Sequence, residues 1–229
     1  MSGADPNLGT VELAAAVLGD LTNDLVLVGG CAVGLLITDL ARAQVRQTID
    51  VDLITEVTPL ASYYMVCEQL RAIGFSEQLS DGVICRWARG SLLIDVMPTD
   101  GTVLGFTNTW YAPAALNSVE HRLPNGQCIR LIAAPYFLAT KLESFADRGG
   151  GDYTHHDIED IVTVVDGRMS IVDDVVHGSE DVRSYLMEEF EALLADPTFV
   201  DRLAWLLPPH DLDARRKIVL ERMRVIAGL

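Results

Sequence analysis

Long hydrophobic runs are missing from the sequence, and none approaches the roughly 20 apolar residues that a membrane-spanning helix needs. Hydrophobic residues make up 49% of the 229 positions, but they are distributed in short stretches. Residues 1–7 have neither the basic start nor the apolar core of a signal peptide. We therefore expect a globular, cytoplasmic protein that has no membrane partner.

Cysteine is scarce, and none of the cysteines forms a C-x-x-C pair. Each stands far from the others among apolar neighbours: Cys31, Cys67, Cys85 and Cys128. This pattern favours buried, reduced thiols over zinc ligands or disulfides.

Lysine and net positive charge are lacking as well. Two lysines occur among the 17 basic residues, and the formal net charge is −16. This balance disfavours indiscriminate binding to nucleic acid, which needs a positive surface. The densest basic stretch lies near the C-terminus and contains Arg215, Arg216, Lys217, Arg222 and Arg224. Two interpretations of it stay open, a solvated helix face and an RNA-facing patch.

Repeats are absent too, so periodicity and glycine or proline positions indicate the fold. A short helix that Thr10 caps is predicted over residues 10–18. An apolar run over residues 25–28 predicts a buried strand, which a glycine pair ends before a helix over residues 31–43.

Residues 49–55 alternate as a half-buried strand does, with Ile49, Val51 and Leu53 on one face and Asp50 and Asp52 on the other. A helix opening at Pro59 follows, and residues 83–97 predict a hairpin that turns at positions 89 and 90.

The second half of the chain has helical periodicity and begins near Pro135, which suits the first turn of a helix. Two of its predicted helices lie near residues 180–195 and 211–226. We predict an α/β (α+β) fold in which helices flank a mixed sheet, with a C-terminal helical part. The predicted domains are a catalytic domain over residues 1–134 and a helical domain over residues 135–229.

Three aspartates suggest chemistry. Asp50 and Asp52 are two apart on a predicted strand, so their carboxylates project from the same face. Asp95 lies mid-strand among apolar residues, where a charge is costly unless it is paired or binds metal. Gly29 and Gly30 form a turn at the start of a helix, where backbone N–H groups can bind phosphate. Together these residues predict a site for divalent ions and a triphosphate.

Two predicted helices carry charges of opposite sign. Lys141 and Arg148 are seven apart and share one helix face, and Asp157 and Asp160 are three apart on the next helix. We predict that these cations and carboxylates can meet across the two helices.

Five segments occur in an order that resembles the AbiEii/AbiGii-type nucleotidyltransferase toxins of the polymerase-beta-like superfamily. They are VGGCAV (28–33), RQTIDVDL (46–53), LLIDV (92–96), ATKLESFADRG (139–149) and HHDIEDI (155–161). The resemblance implies an EC 2.7.7-type enzyme that moves an NMP from an NTP to a hydroxyl acceptor and releases pyrophosphate. It also makes tRNA or a protein candidate acceptors, and an antitoxin a candidate partner of a toxin.

The resemblance implies roles for individual residues. Asp50, Asp52 and Asp95 would bind two Mg²⁺ ions, or Mn²⁺, and would act in catalysis together with Lys141, which would neutralise the triphosphate. The other nucleotide-binding residues would be Gly29, Gly30, Thr48, Arg148, Asp157 and Asp160.

Two other functions stay open. His155, His156 and Asp157 resemble part of the ligand set of metal-dependent phosphohydrolases, but His121, the preceding histidine, is not on a predicted helix as that class requires. The second alternative is a catalytically inactive nucleotide-binding or regulatory module, against which the intact set of aspartates argues.

Overall fold

A seven-stranded mixed sheet organises the first part of the protein. In this computed structural model, which describes residues 5–39, 45–56, 60–78 and 84–229, the strand order is β3-β4-β5-β2-β1-β7-β6. Strand pairs β1/β7 and β2/β5 are parallel, and the other pairs are antiparallel. The strands are β1 (Leu25–Leu27), β2 (Asp50–Thr55), β3 (Ser76–Glu77), β4 (Arg86–Arg89), β5 (Leu92–Pro98), β6 (Val119–Arg122) and β7 (Cys128–Leu131).

The helices flank the sheet or form the C-terminal part, as predicted. They are α1 (Leu8–Leu18), α2 (Gly29–Leu36), α3 (Leu60–Ala72), α4 (Gly101–Leu104), α5 (Tyr111–Leu116), α6 (Ala134–Arg148), α7 (His156–Gly167), α8 (Ile171–Val176), α9 (Glu180–Ala195), α10 (Pro197–Leu206) and α11 (Leu212–Ile226). Among the described residues, no helix is both long and apolar enough to cross a membrane.

The chain forms two compact units. One, the sheet unit, comprises residues 6–32 and the described part of 47–133. The other, the helical unit, comprises residues 134–229 together with the described parts of 1–5 and 33–46. The chain passes from the sheet unit to the helical unit within α2. The division into domains over residues 1–134 and 135–229 stays a prediction.

The sheet unit buries the apolar face of β2 and β5 under α1. Val51 and Leu53 of β2 and Ile94 of β5 are buried, as the alternating pattern predicts. Ile49 is 80% exposed, so the prediction that it belongs to this core face is wrong. It precedes β2, whose pairing with β5 begins at Asp50. On α3, the Tyr63 hydroxyl donates to the Val96 carbonyl at 2.9 Å.

The helical unit packs α6 against α7, α8 and α9, and packs α11 against the same three helices. Three fully buried side chains at its centre are Phe137, Leu186 and Val219. The predicted helix near residues 180–195 coincides with α9. In contrast, α8 and α10 were not predicted. An Asp-Pro start could have indicated α10, because Asp196 caps it and Pro197 opens it.

Several predicted boundaries differ from the structure. Helix α1 begins at Leu8 after Asn7, so Thr10 is inside the helix and does not cap it. Helix α2 ends at Leu36, earlier than residue 43, and the predicted residues 40–43 lie outside the described residues. Pro59 and Val83, predicted to begin a helix and a strand, also lie outside them.

The cysteine prediction holds at three of four positions. Cys31, Cys67 and Cys85 are buried, but Cys128 is exposed. Cys128 begins β7, and successive side chains of a strand point to opposite faces. Because the next residue, Ile129, is buried, Cys128 faces solvent.

Candidate active site

Three neighbouring strands place four charged side chains on one face of the sheet. Asp95 on β5 lies opposite Arg86 on β4 and opposite Asp52 on β2. Residues directly opposite on adjacent strands share a face, and so do residues two apart on one strand. Asp50 therefore joins the same row from β2. The sheet register thus brings together the three predicted aspartates and an arginine that the sequence reasoning missed.

Arg86 forms a fork between two of the aspartates. Its Nε donates to Asp95 Oδ1 and its Nη2 to Asp95 Oδ2, both at 2.8 Å. The same Nη2 also donates to Asp50 Oδ2. Asp95 is 6% exposed, so its carboxylate needs a positive partner, and Arg86 supplies one.

Asp52 lies against the glycine turn. Gly29 has φ +63°, and a Cβ built on it would lie 1.9 Å from Asp52 Oδ2. The Val28 N–H donates to the Asp52 carbonyl at 2.9 Å, which joins the end of β1 to β2. Gly29 and Gly30 open α2, and the first N–H groups of a helix have no partner within it.

Thr48 orients the neighbouring aspartate. Its hydroxyl donates to Asp50 Oδ1 at 3.1 Å, and its backbone N–H donates to Asn7 Oδ1 at 2.9 Å. The Cys31 thiol donates to the Asp50 carbonyl at 3.3 Å. Both the side chain and the backbone of Asp50 are thereby held in the sheet unit.

The aspartates have the donor chemistry for a hard divalent cation. Carboxylate oxygens are the ligands that Mg²⁺ prefers, and one guanidinium nitrogen already contacts both Asp50 and Asp95. These two carboxylates therefore converge on a shared cation. The three aspartates together do not bring their oxygens within 4.8 Å of one another. Within the part of the chain that the structure describes, the group of three ligand residues that does so is His155, His156 and Asp157.

A second charged cluster lies in the helical unit and joins α6 to α7. The Lys141 ammonium is 3.0 Å from Asp157 Oδ1 and 2.7 Å from Asp160 Oδ2. The prediction that cations and carboxylates meet across these helices is confirmed. Burial lowers the pKa of Lys141, but Asp160 and Asp157 outweigh this effect and raise it. Lys141 therefore keeps its charge although it is buried.

Asp157 is the centre of this cluster. Besides Lys141, it binds Arg148 through two hydrogen bonds, Nε to Oδ2 at 3.0 Å and Nη2 to Oδ1 at 3.1 Å. Burial raises the pKa of Asp157, but Arg148 and Lys141 more than compensate and lower it to about 2. Asp160 also accepts from Arg46 Nη2 at 3.4 Å.

The histidines of the phosphohydrolase alternative serve the start of α7. His155 Nδ1 accepts from the Asp157 N–H at 3.3 Å and so caps the helix. His156 Nε2 is 3.5 Å from Asp157 Oδ1. A metal ion on this group would meet the positive Lys141 and Arg148, which already bind both Asp157 oxygens. This arrangement disfavours a metal-dependent hydrolase site.

The basic C-terminal stretch is largely structural. Arg215 is buried and its Nη1 contacts Asp166 Oδ1 at 3.2 Å and Asp39 Oδ2 at 2.6 Å. Arg222 Nη1 donates to the carbonyls of Val165 and Asp166, at 2.7 Å each. The interpretation of Arg215 as an RNA-facing residue is therefore wrong, because its charge is used inside the helical unit.

The predicted site residues are divided between the two units. The sheet unit contains Gly29, Gly30, Thr48, Asp50, Asp52 and Asp95, and the helical unit contains Lys141, Arg148, Asp157 and Asp160. Each set is gathered within its own unit. That Lys141 acts at the aspartates stays a prediction.

The fold is that of nucleotidyltransferase-like proteins. No protein-family model and no curated protein matches the chain. Among solved structures, an antigenic nucleotidyltransferase-like protein from Paracoccidioides brasiliensis has 19% identity and a TM-score of 0.53, with 94% of each chain covered. A protein from H. pylori described as a candidate nucleotidyltransferase has 13% identity and a TM-score of 0.52, covering 99% of this chain and 96% of that one. At these identities the likeness defines the fold.

Proposed function

We propose that the protein is an EC 2.7.7-type nucleotidyltransferase that moves an NMP from an NTP to a hydroxyl acceptor and releases pyrophosphate. The convergence of Asp50 and Asp95 on one cationic nitrogen, with Asp52 in register beside them, is the observation that carries the proposal. The shared fold with nucleotidyltransferase-like proteins supports it.

Asp50, Asp52 and Asp95 would hold two Mg²⁺ ions, with Mn²⁺ as an alternative. Ions bound there would activate the acceptor hydroxyl and neutralise the departing pyrophosphate. Thr48 would keep Asp50 in place through its hydrogen bond to Oδ1. The contact between Asp52 and Gly29 would hold the third carboxylate beside the glycine turn.

Backbone and side-chain groups would bind the nucleotide. Gly29 and Gly30 would offer N–H groups to the phosphates at the start of α2. Thr48 and Arg148 would add polar contacts, and the Lys141 ammonium would neutralise the triphosphate. Asp157 and Asp160 would act through Lys141, because both hold its ammonium. They are positioning residues in this proposal.

The acceptor class is the open part of the proposal, and tRNA, another RNA, a protein side chain and a small molecule are the candidates. A cytoplasmic toxin with an antitoxin partner is the biological setting that the AbiEii/AbiGii resemblance suggests. The exposed groove on α11 mixes signs, because Asp213 and Glu221 stand among Arg216, Lys217 and Arg224. This mixture weakens the case that α11 binds RNA.

Transfer of label tests the proposal. The protein is incubated with Mg²⁺, each α-labelled NTP in turn, and either total RNA or protein extract. We expect incorporation with at least one NTP, and a fall of about 100-fold or more in Asp50→Asn and Asp95→Asn. Asp24→Asn is the control, because Asp24 is exposed on the same unit. Incorporation that survives Asp50→Asn and Asp95→Asn, or none from the wild-type protein, would contradict the proposal.

One observation favours a second candidate, a nucleotide-binding or regulatory module without catalysis. Arg86 neutralises part of the charge of Asp50 and Asp95, so the carboxylates do not require a metal ion for stability. Label transfer distinguishes the candidates, because an inactive module would transfer no label whether or not Mn²⁺ binds at the aspartates.

A further inference from the structure

Arg86 occupies the position where a cation would bridge two of the aspartates. Nη2 lies within hydrogen-bonding distance of Oδ2 of Asp95 and of Oδ2 of Asp50. The side chain of Arg86 is 16% exposed and that of Asp95 is 9% exposed. The contact is therefore largely shielded from water. A charge-assisted pair of hydrogen bonds is stronger in such an environment than on the surface.

The other carboxylate oxygens of this pair are also engaged. Asp95 Oδ1 accepts from Arg86 Nε at 2.8 Å, and Asp50 Oδ1 accepts from Thr48 at 3.1 Å. Three of the four oxygens thus face the same guanidinium. An ion that takes the two Oδ2 atoms must replace Nη2, because both cannot fill one position and their charges repel.

We propose that Arg86 is an internal cation that competes with divalent metal for Asp50 and Asp95. In the metal-free protein the guanidinium compensates the carboxylates and holds them together. Binding of the metal breaks the contacts of Nη2 with Asp50 Oδ2 and Asp95 Oδ2 and replaces its positive charge there. The metal affinity of the site is then set by this exchange. The inference rests on the metal site of the proposed function, and it adds a residue that limits occupancy of that site.

The test measures Mn²⁺ affinity by calorimetry and by electron paramagnetic resonance, with the melting temperature recorded in EDTA and in Mn²⁺. Arg86→Gln removes the competitor, so we expect Mn²⁺ to bind about tenfold tighter or more than to wild type. The same variant should have a lower melting temperature than wild type in EDTA, because Asp95 loses its partner. Its melting temperature should rise more than that of wild type when Mn²⁺ is added.

Arg89→Gln is the matched control. Arg89 is exposed on the same strand and lies opposite Leu92, and its removal changes the net charge by the same amount. We expect its Mn²⁺ affinity to stay within about twofold of wild type. Arg86→Lys keeps the charge but loses the fork, so its affinity should lie between those of wild type and Arg86→Gln.

The competition is disproved if folded Arg86→Gln binds Mn²⁺ no tighter than Arg89→Gln. If circular dichroism shows that Arg86→Gln does not fold, Arg86→Lys decides: tighter binding than wild type supports the proposal, and equal or weaker binding overturns it. Label transfer is scored separately. If Arg86→Gln binds Mn²⁺ more tightly but no label is transferred, the competition is supported and the proposed function is contradicted. If label is transferred but the Mn²⁺ affinity does not change, the proposed function is supported and the competition is contradicted.

Discussion

Gly29 and Asp52 fit together because position 29 has no side chain. A Cβ there would lie 1.9 Å from Asp52 Oδ2, well inside any tolerated contact. The glycine also has φ +63°, a left-handed conformation that side chains disfavour. The turn between β1 and α2 and the position of a candidate metal ligand thus depend on the same residue.

Alanine at Gly29 should therefore destabilise the protein more than backbone strain alone does. Gly19→Ala is the control, because Gly19 has a similar φ of +56° and nothing within 4 Å of the added Cβ. We expect a loss of about 1 to 3 kcal/mol in unfolding free energy for Gly19→Ala, because its ψ of −126° places it in a region that side chains rarely adopt. Gly29→Ala should lose at least about 2 kcal/mol more. Urea unfolding of both variants checks this, and equal losses would exclude the contact with Asp52 as the cause.

Asp157 should contribute stability that depends on pH. Its folded pKa of about 2 lies below the unfolded value of 3.8, so the ionised form stabilises the fold. This contribution is complete above about pH 4, declines as pH falls through the interval between 3.8 and about 2, and disappears below it.

Comparison of Asp157→Asn with wild type measures this contribution. At pH 7 we expect a loss of about 3 kcal/mol, because Lys141 and Arg148 lose a buried partner. The difference should shrink as the pH approaches 2. Asp147→Asn, an exposed change at the end of α6, should follow the wild-type curve. A wild-type advantage that does not change down to pH 2 would argue against an ionised Asp157 as its source.

The two lysines offer a direct comparison of roles. Lys141 is 6% exposed and holds two carboxylates, and Lys217 is exposed on α11. If Lys141 neutralises the triphosphate, Lys141→Gln should lower kcat/KM for the NTP about 100-fold. Lys217→Gln should leave it unchanged. Unfolding curves are measured in parallel, and a variant of Lys141 that is less stable but fully active would assign that lysine a structural role.

Arg215 should matter for stability rather than for RNA binding. Its guanidinium contacts Asp166 and Asp39 inside the helical unit, and Asp166 is fully buried. We expect Arg215→Gln to cost about 3 kcal/mol, because it leaves Asp166 without its main partner. Arg224→Gln, on the exposed face of α11, should stay within about 0.5 kcal/mol of wild type. Similar unfolding free energies for the two variants would refute this difference.

Local periodicity was sufficient for much of the fold and of the candidate site. The alternation over residues 50–55 placed Asp50 and Asp52 on one face, because side chains of a strand alternate whatever the strand pairs with. Helical spacing likewise placed Lys141 and Asp157 where α6 and α7 could pair them. Neither inference needs more than the repeat of a single element.

The partner of Asp95 could not be predicted this way, because moving the turn by one residue changes the partner of Asp95 by two positions. A turn at positions 89 and 90, as predicted, pairs Asp95 with Ile84. The structure turns at Gly90 and residue 91, so Arg89 pairs with Leu92 and Arg86 with Asp95. A shift of this size exchanges an apolar partner for a guanidinium.

Three features follow from local sequence: the seven-residue spacing of the α6 cations, the carboxylate pair of β2 and the glycine turn beside it. Each depends on a local repeat or on backbone freedom. Tertiary structure alone decided that Arg86 would join the aspartates and that Arg215 would be buried. Both outcomes depend on which surfaces meet in the folded chain, and a local pattern of charges carries no information about that.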